Sequence, residues 1–247
     1  MNNLKLGICS VTFRGKSAAE VVKTAKKGGV EYIEWGGDVH VTNRAEAQTV
    51  KALCDNEWIK ISSYGSYFNS LEYDELKWSE ICEIASVMNA STIRIWLGKK
   101  NSEETEPEEY AVLLENTRKM CDVASGYGLI VSPECHDNTY NNNTDAILKF
   151  IRDLGRDNFK TYFQSRYFRM EYDIDRIDRT YEYIQDVHVS YRDLKKEQLF
   201  RKKDKYYLDK LIQEFKSRNF DGIVMIEFVE EDSETSFLID VEKLRSI

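Results

Sequence analysis

Eight times between residues 4 and 228 a short apolar or β-branched run is followed by an amphipathic stretch, and this alternation constrains the fold more than any other feature of the chain. The strand candidates are "LKLGICS" (4–10), "VEYIEWG" (30–36), "WIKISSYG" (58–65) and "STIRIWLG" (91–98) in the first half. The second half adds "GLIVSPE" (128–134), "NFKTYFQ" (158–164), "YIQDVHVS" (183–190) and "DGIVMIEF" (221–228). The intervening patterns carry helix signals: "SAAEVVKTAKKGG" (17–29) opens on a serine N-cap and closes on glycine, and "EPEEYAVLLENTRKMCDVASGYG" (106–128) has Pro107 and acids in its first turn. Eight (βα) units in 247 residues are the length and pattern of a (β/α)8 TIM barrel. A doubly wound open sheet is disfavoured. "GICSVTFRG" after the first strand lacks the G-x-G-x-x-G turn, and no acidic residue follows at the distance that turn requires. No linker or low-complexity segment divides the chain, so residues 1–247 are expected to form a single α/β domain.

The net charge of −8 argues against a nucleic-acid partner, because phosphate binding draws on clustered Lys and Arg. The one dense basic run, "LKKEQLFRKKDK" (194–205), reads as a solvated face. Cys9, Cys54, Cys82, Cys121 and Cys135 form an odd set with no close pair, which fits neither a disulfide framework nor a zinc ribbon and points to a reducing cytoplasm. The opening "MNNLKLGICSVTF" has no basic leader and no apolar stretch of signal-peptide length. No run approaches the roughly 20 apolar residues of a membrane span, so no membrane partner is expected. The oligomeric state is left open between a monomer and a homo-oligomer.

In such a barrel, functional side chains come from the C-terminal ends of the strands. All three histidines fall there: His40 after strand two, His136 after strand five and His188 near the end of strand seven. Glu34, Glu134 and Glu227 sit within or at the ends of strands two, five and eight, where an unpaired buried charge is costly. Glu34 has a structural reading, as a partner of Arg14 or Lys60. Glu227 resists one, because "IVMIEF" runs an apolar strand straight into a glutamate that needs a cation or a proton. Glu134, His188 and Glu227 are therefore expected to converge at one rim and form a metal site. Two carboxylates and an imidazole suit Mn2+, Mg2+ or Co2+ and, less selectively, Zn2+. Gln164, at the end of strand six, offers a carbonyl oxygen to the same centre.

With those positions set out, the chain resembles the sugar phosphate isomerase/epimerase family of the xylose-isomerase-like TIM barrel superfamily. The likeness rests on "GICSVTF", "GVEYIEWGGDVHV", "IRIWLG", "SPECHDN", "DVHVSYRD" and "MIEF" and runs the length of the chain. In that family a divalent metal is held by Glu, Asp, His and Glu on strands five to eight; the resemblance assigns these places to Glu134, Gln164, His188 and Glu227. Strand six departs from the pattern, with Gln164 for the usual Asp and Tyr167 where a His often follows. One fewer carboxylate implies weaker metal binding.

What the resemblance implies is proton transfer at a carbon next to a carbonyl through an enediolate, acting on a small-molecule sugar or sugar phosphate. Glu134 and Glu227 would be the catalytic acid and base, delivering the proton from opposite faces for epimerisation or to the neighbouring carbon for isomerisation. His136, His40, Arg192, Arg94 and Trp35 are the candidate substrate contacts, with Trp96, Tyr64 and Phe13 as further apolar walls. The alternative from another class is a non-catalytic sugar-binding barrel with a degenerate metal site. An apurinic endonuclease-like phosphodiesterase fits less well, since three histidines do not readily build a multi-zinc site.

Overall fold

The computed structural model describes residues 4–166, 168–192 and 206–247; Tyr167 and the basic run 194–205 lie outside them. The strands are β1 (Lys5–Cys9), β2 (Tyr32–Gly36), β3 (Lys60–Asn69), β4 (Thr92–Trp96), β5 (Ile130–Pro133), β6 (Thr161–Gln164), β7 (Ile184–Val189) and β8 (Ile223–Ile226). The α-helices of the described residues are α1 (Ala18–Gly28), α2 (Arg44–Glu57), α3 (Glu75–Val87), α4 (Pro107–Ser125), α5 (Thr144–Leu154), α6 (Met170–Thr180), α7 (Tyr207–Ser217) and α8 (Glu234–Ser246). Every strand lies within its expected range except β3, which runs past Gly65 to Asn69 through a shift in register against β4. Among the described residues no helix is long and apolar enough to cross a membrane, and all five cysteines are free and buried.

Local chemistry places the helices. Ser17 caps α1 through a reciprocal pair of bonds, its Oγ accepting from the Glu20 N–H while the Glu20 carboxylate accepts from the Ser17 N–H. Gly29 then ends the helix at φ +64, a conformation that a side chain resists; a Cβ there would also meet the Arg245 guanidinium at 2.9 Å.

All strand pairs are parallel, in the order β5-β4-β3-β2-β1-β8-β7-β6. The barrel closes between β5 and β6 at a single bridge, Val131 to Phe159. There the Val131 N–H donates to the Asn158 carbonyl (2.9 Å) and the Lys160 N–H to that of Val131 (3.0 Å). With so few ladder bonds, closure leans on packing. Phe150 of α5, fully buried, sets its ring 5.6 Å from Phe159, 5.7 Å from Tyr140 and 5.9 Å from Tyr110.

The period-2 alternation of the strands sorts the side chains into two environments. Ile8, Ile33, Trp35, Ile93, Val131, Val187 and Val224 join the main core between the sheet and its helices. The residues between them face the barrel axis: Cys9, Tyr162 and Met225 form a small interior cluster, and Glu34, Arg94, Glu134 and His188 contact one another above it. Barrel interiors are more often layered with branched apolar residues; here the upper layer is charged.

Because Phe150 is the ring that the other three aromatics at the seam pack against, Phe150→Ala should lower the unfolding free energy by about 3–5 kcal/mol, read from urea denaturation. A loss under about 1 kcal/mol would show that the seam does not depend on it.

Candidate active site

A cavity of about 300 Å3 opens at the C-terminal ends of the strands, where catalytic residues of such barrels arise. Arg94, Glu134, His136, Gln164, His188 and Glu227 all line it, from β4 to β8. The rings of Tyr67 and Trp96 lie beside the Arg94 guanidinium, and Phe168, Tyr207, Leu211 and Phe228 complete the apolar lining. Tyr67, Phe168 and Phe228 hold positive φ angles of 57°, 46° and 60°. That conformation is uncommon for bulky side chains and tends to gather at functional sites.

Arg94 organises the floor. Its side chain is 2% exposed and lies between two buried carboxylates, with Nε donating to Glu34 Oε1 (2.9 Å) and Nη1 to Glu134 Oε2. The expected partners of Glu34 are engaged elsewhere: Arg14 pairs with Asp38 (2.7 Å), and the Lys60 ammonium lies over the Tyr32 ring. Gly65 makes room for the guanidinium, since a Cβ there would stand 2.7 Å from Nη2. The irregular end of β3 carries the Tyr67 ring to 4.9 Å from the Arg94 guanidinium carbon, a cation–π arrangement.

The carboxyls diverge in acidity. Burial opposes the charge on Glu34, but Arg94 and His188 outweigh it and hold this carboxyl well below the usual range. Glu227 is also lowered, with burial opposing and His188 prevailing. Glu134 is raised, because burial, helped by the charge of Glu227, wins against Arg94 and His188. On His188 burial favours the neutral ring, and the Cys9 sulfur with Glu227 and Glu34 overcomes it and lifts the imidazole well above its ordinary value. The Cys9 thiol is itself pushed up to about 12, chiefly by burial.

His188 Nδ1 lies 3.4 Å from Glu227 Oε2 and 4.0 Å from Glu134 Oε1, so the two carboxylates meet at one ring nitrogen. That nitrogen and Gln164 Oε1 are both buried without a hydrogen-bond partner, and both residues line the cavity. Two carboxylates, an amide oxygen and an imidazole nitrogen are the donor set of a hard or borderline divalent cation, and the orphaned atoms are what such an ion would satisfy. Cys9 reaches the opposite edge of the ring, its Sγ 3.4 Å from Nε2. Ligand atoms of Cys9, His188 and Glu227 lie within 4.8 Å of one another, but the sulfur and the carboxylate address different nitrogens.

Three candidate contacts stand away from this cavity. Trp35 follows inward-facing Glu34 on β2, so it faces outward and is fully buried in the core behind the sheet. His40 is buried in the loop after β2 with both nitrogens engaged, Nδ1 3.0 Å from Ser10 Oγ and Nε2 3.0 Å from the Lys16 carbonyl; burial lowers its pKa. Arg192 pairs with Asp232 at 2.8 Å in an adjoining cleft. Tyr64, bonded to the Val41 carbonyl, and Phe13, packed edge-on against Phe237, are also core residues. His136 lies exposed at the cavity, its ring 5.0 Å from and edge-on to Trp96. Tyr67 and Phe228 carry no sequence signal of their place at the rim, which follows from backbone irregularity. Tyr162 and Cys9 could have been found by counting alternate residues toward the axis.

An eight-stranded parallel barrel with polar groups gathered around a cavity at its C-terminal rim defines an α/β-barrel protein. The chain belongs to the xylose isomerase-like TIM barrel family, whose sequence profile it matches over residues 22–247. None of the curated proteins compared with it matches in sequence. Among solved structures, it is similar to a probable 3-DHS dehydratase, AsbF, involved in petrobactin synthesis from Bacillus anthracis, at 17% identity over 98% of each chain with a TM-score of 0.80. It is also similar to a 3-keto-D-glucoside 4-epimerase from E. coli at 15% identity, over 99% of this chain and 100% of that one, TM-score 0.76. A D-psicose 3-epimerase with D-tagatose from Clostridium cellulolyticum matches at 14%, over 98% and 99% respectively, TM-score 0.74. At these identities the likeness is one of fold.

Removing the central cation should be costly. Arg94→Met leaves Glu34 and Glu134 facing each other in the interior, a loss of about 3–5 kcal/mol near neutral pH. Wild-type Glu34 has a depressed pKa, so its stabilising contribution is present above the ordinary carboxylate range; in the variant the same carboxyls titrate upward and take up protons as pH falls. The deficit should therefore shrink between about pH 8 and about pH 5, as read from chemical denaturation of both proteins. A deficit independent of pH would contradict this account.

Proposed function

We propose that the protein is a metal-dependent isomerase or epimerase of a sugar or sugar phosphate, acting by proton transfer at a carbon beside a carbonyl. The observation that carries this reading is the pair of carboxylates, Glu134 and Glu227, that flank His188 Nδ1 within 4.0 Å at the floor of the cavity. Two structures to which it is similar, the D-psicose 3-epimerase and the 3-keto-D-glucoside 4-epimerase, support the substrate class.

Glu134, Gln164, His188 and Glu227 would hold a divalent cation such as Mn2+, Mg2+, Co2+ or Zn2+, which supplies Lewis-acid polarisation of the substrate carbonyl and its neighbouring hydroxyl. The chain's own groups do the rest. One carboxylate takes the proton from carbon; the other returns it on the opposite face, giving an epimer, or a single carboxylate returns it to the neighbouring carbon, giving an isomer. Arg94 lines the cavity, and its buried Nη2 has no hydrogen-bond partner, so the guanidinium has a donor to spare for a substrate oxygen. The rings of Trp96 and Tyr67 offer the apolar wall for the C–H face of a sugar, with His136 at the mouth.

Incubation with ketoses and their phosphates in D2O, with Mn2+, Co2+ or Mg2+, should place deuterium next to the carbonyl, seen by proton NMR even where net conversion is small. Glu134→Gln and Glu227→Gln should each slow this wash-in by at least about a hundredfold while the fold is kept. Binding of these compounds without exchange under any of the metals would favour the sugar-binding alternative.

Gln164→Asp adds a third carboxylate to the proposed ligand set. It should tighten Mn2+ binding by about tenfold or more, measured by calorimetry. Unchanged affinity would remove Gln164 from the set.

A further inference from the structure

We infer that Glu34 is the positioning residue of this site, a carboxylate beneath the cavity that aims two of its working side chains at once. The inference rests on the reading of His188 and Glu134 as ligands of a divalent cation, and it concerns how this chain holds them.

Glu34 is 1% exposed and does not line the cavity. Its oxygens divide their partners. Oε1 accepts from Arg94 Nε at 2.9 Å, and the same guanidinium reaches Glu134 through Nη1, so Glu34 fixes the plane from which Glu134 is held. Oε2 accepts from Ser63 Oγ (2.8 Å) and Tyr162 Oη (2.9 Å) and faces His188 Nε2 at 3.6 Å. Ser63 and Tyr162 pin the carboxylate from β3 and β6, and the Tyr162 ring packs edge-on against the imidazole at 4.9 Å. Little freedom is left to either ring.

The consequence is chemical as well as geometric. Glu227 and Glu134 face Nδ1 at 3.4 and 4.0 Å, and the Cys9 sulfur stands beside Glu34 at Nε2. Once a cation engages those two carboxylates, Glu34 is the carboxylate left to the ring, and because it only accepts hydrogen bonds it favours the tautomer with the proton on Nε2. The lone pair of Nδ1 is then directed at the point between Glu134 and Glu227. An amide in place of Glu34 has the opposite effect. Its oxygen remains the natural acceptor for Arg94, which turns its NH2 toward Nε2, and an N–H facing Nε2 moves the ring proton to Nδ1, where it blocks coordination. A carboxylate behind a ligating histidine is a general way of fixing tautomer and orientation, and losing one typically costs about 10–100-fold in metal affinity.

The test uses the full chain, with Mn2+ as the calorimetric probe and diamagnetic Zn2+ for NMR. In the Zn2+-loaded wild type, two-bond 15N–1H spectra of the imidazoles should show His188 protonated at Nε2, with Nδ1 shifted by the metal; three histidines make the assignment tractable. Glu34→Gln should weaken Mn2+ binding by about 10–100-fold and lose the Nε2–H signature, which a purely structural defect would not reverse in this sense. Glu34→Asp, which keeps the charge opposite Arg94, should retain the Nε2–H tautomer with a partial loss of affinity, and it serves if the amide variant does not fold. Wild-type affinity and an unchanged tautomer in the Gln variant, or unchanged affinity in the Asp variant, would overturn the inference while leaving the metal site standing. A wild-type protein that binds neither Mn2+ nor Zn2+ would overturn the metal reading itself, and this inference with it.

Discussion

The arrangement on which the rest depends is one cation at the axis of the barrel, the Arg94 guanidinium between Glu34 and Glu134. Charges at that depth are tolerated only when paired and hydrogen-bonded on most of their faces. The guanidinium suits the role because its planar fork serves two carboxylates at fixed angles, which an ammonium cannot do. Everything beneath and beside it is shaped to admit it: glycine at position 65, a hydroxyl on Ser63 and a phenol on Tyr162.

Electrostatics and packing are thus separated by the pleat of the sheet. The outward side chains supply the apolar burial that stabilises the barrel against its helices, and the inward ones form a polar layer whose net contribution is small while its charges stay paired and whose disruption is costly. The rim shows the same division. Tyr67, Phe168 and Phe228, all in unfavourable backbone conformations, surround the polar floor with aromatic surface. Strain of this kind persists only where the surrounding structure over-determines it.

Much of the architecture was legible in the chain because the strand and helix periods differ and repeat eight times. Glu134, Gln164, His188 and Glu227 were equally legible as strand-end polar residues, and the structure brings all four to one cavity. Trp35, as an aromatic wall, and His40, as a histidine just after a strand, read as cavity contacts, and the structure puts neither there. Strict alternation already forbids Glu34 and Trp35 from facing the same way, and a histidine in a loop can find its partners in the next turn, as His40 does with Ser10 and Lys16. Arg94 was visible as a residue but not as a hub, since its two partners lie 60 and 40 positions away in sequence.

The sequence by itself determined the order of the elements, the caps that begin and end helices such as α1, and which residue types arrive at the strand ends, because all of these follow from local period and local hydrogen bonding. Only the tertiary structure decided which carboxylate meets which cation, which histidine nitrogen is turned to the cavity, and where the register of β3 breaks to lift Tyr67 over Arg94. Those choices depend on closing the barrel through one bridge between β5 and β6. Closure sets neighbours that are distant in sequence within a few ångströms of one another, and no local rule encodes the distance between them.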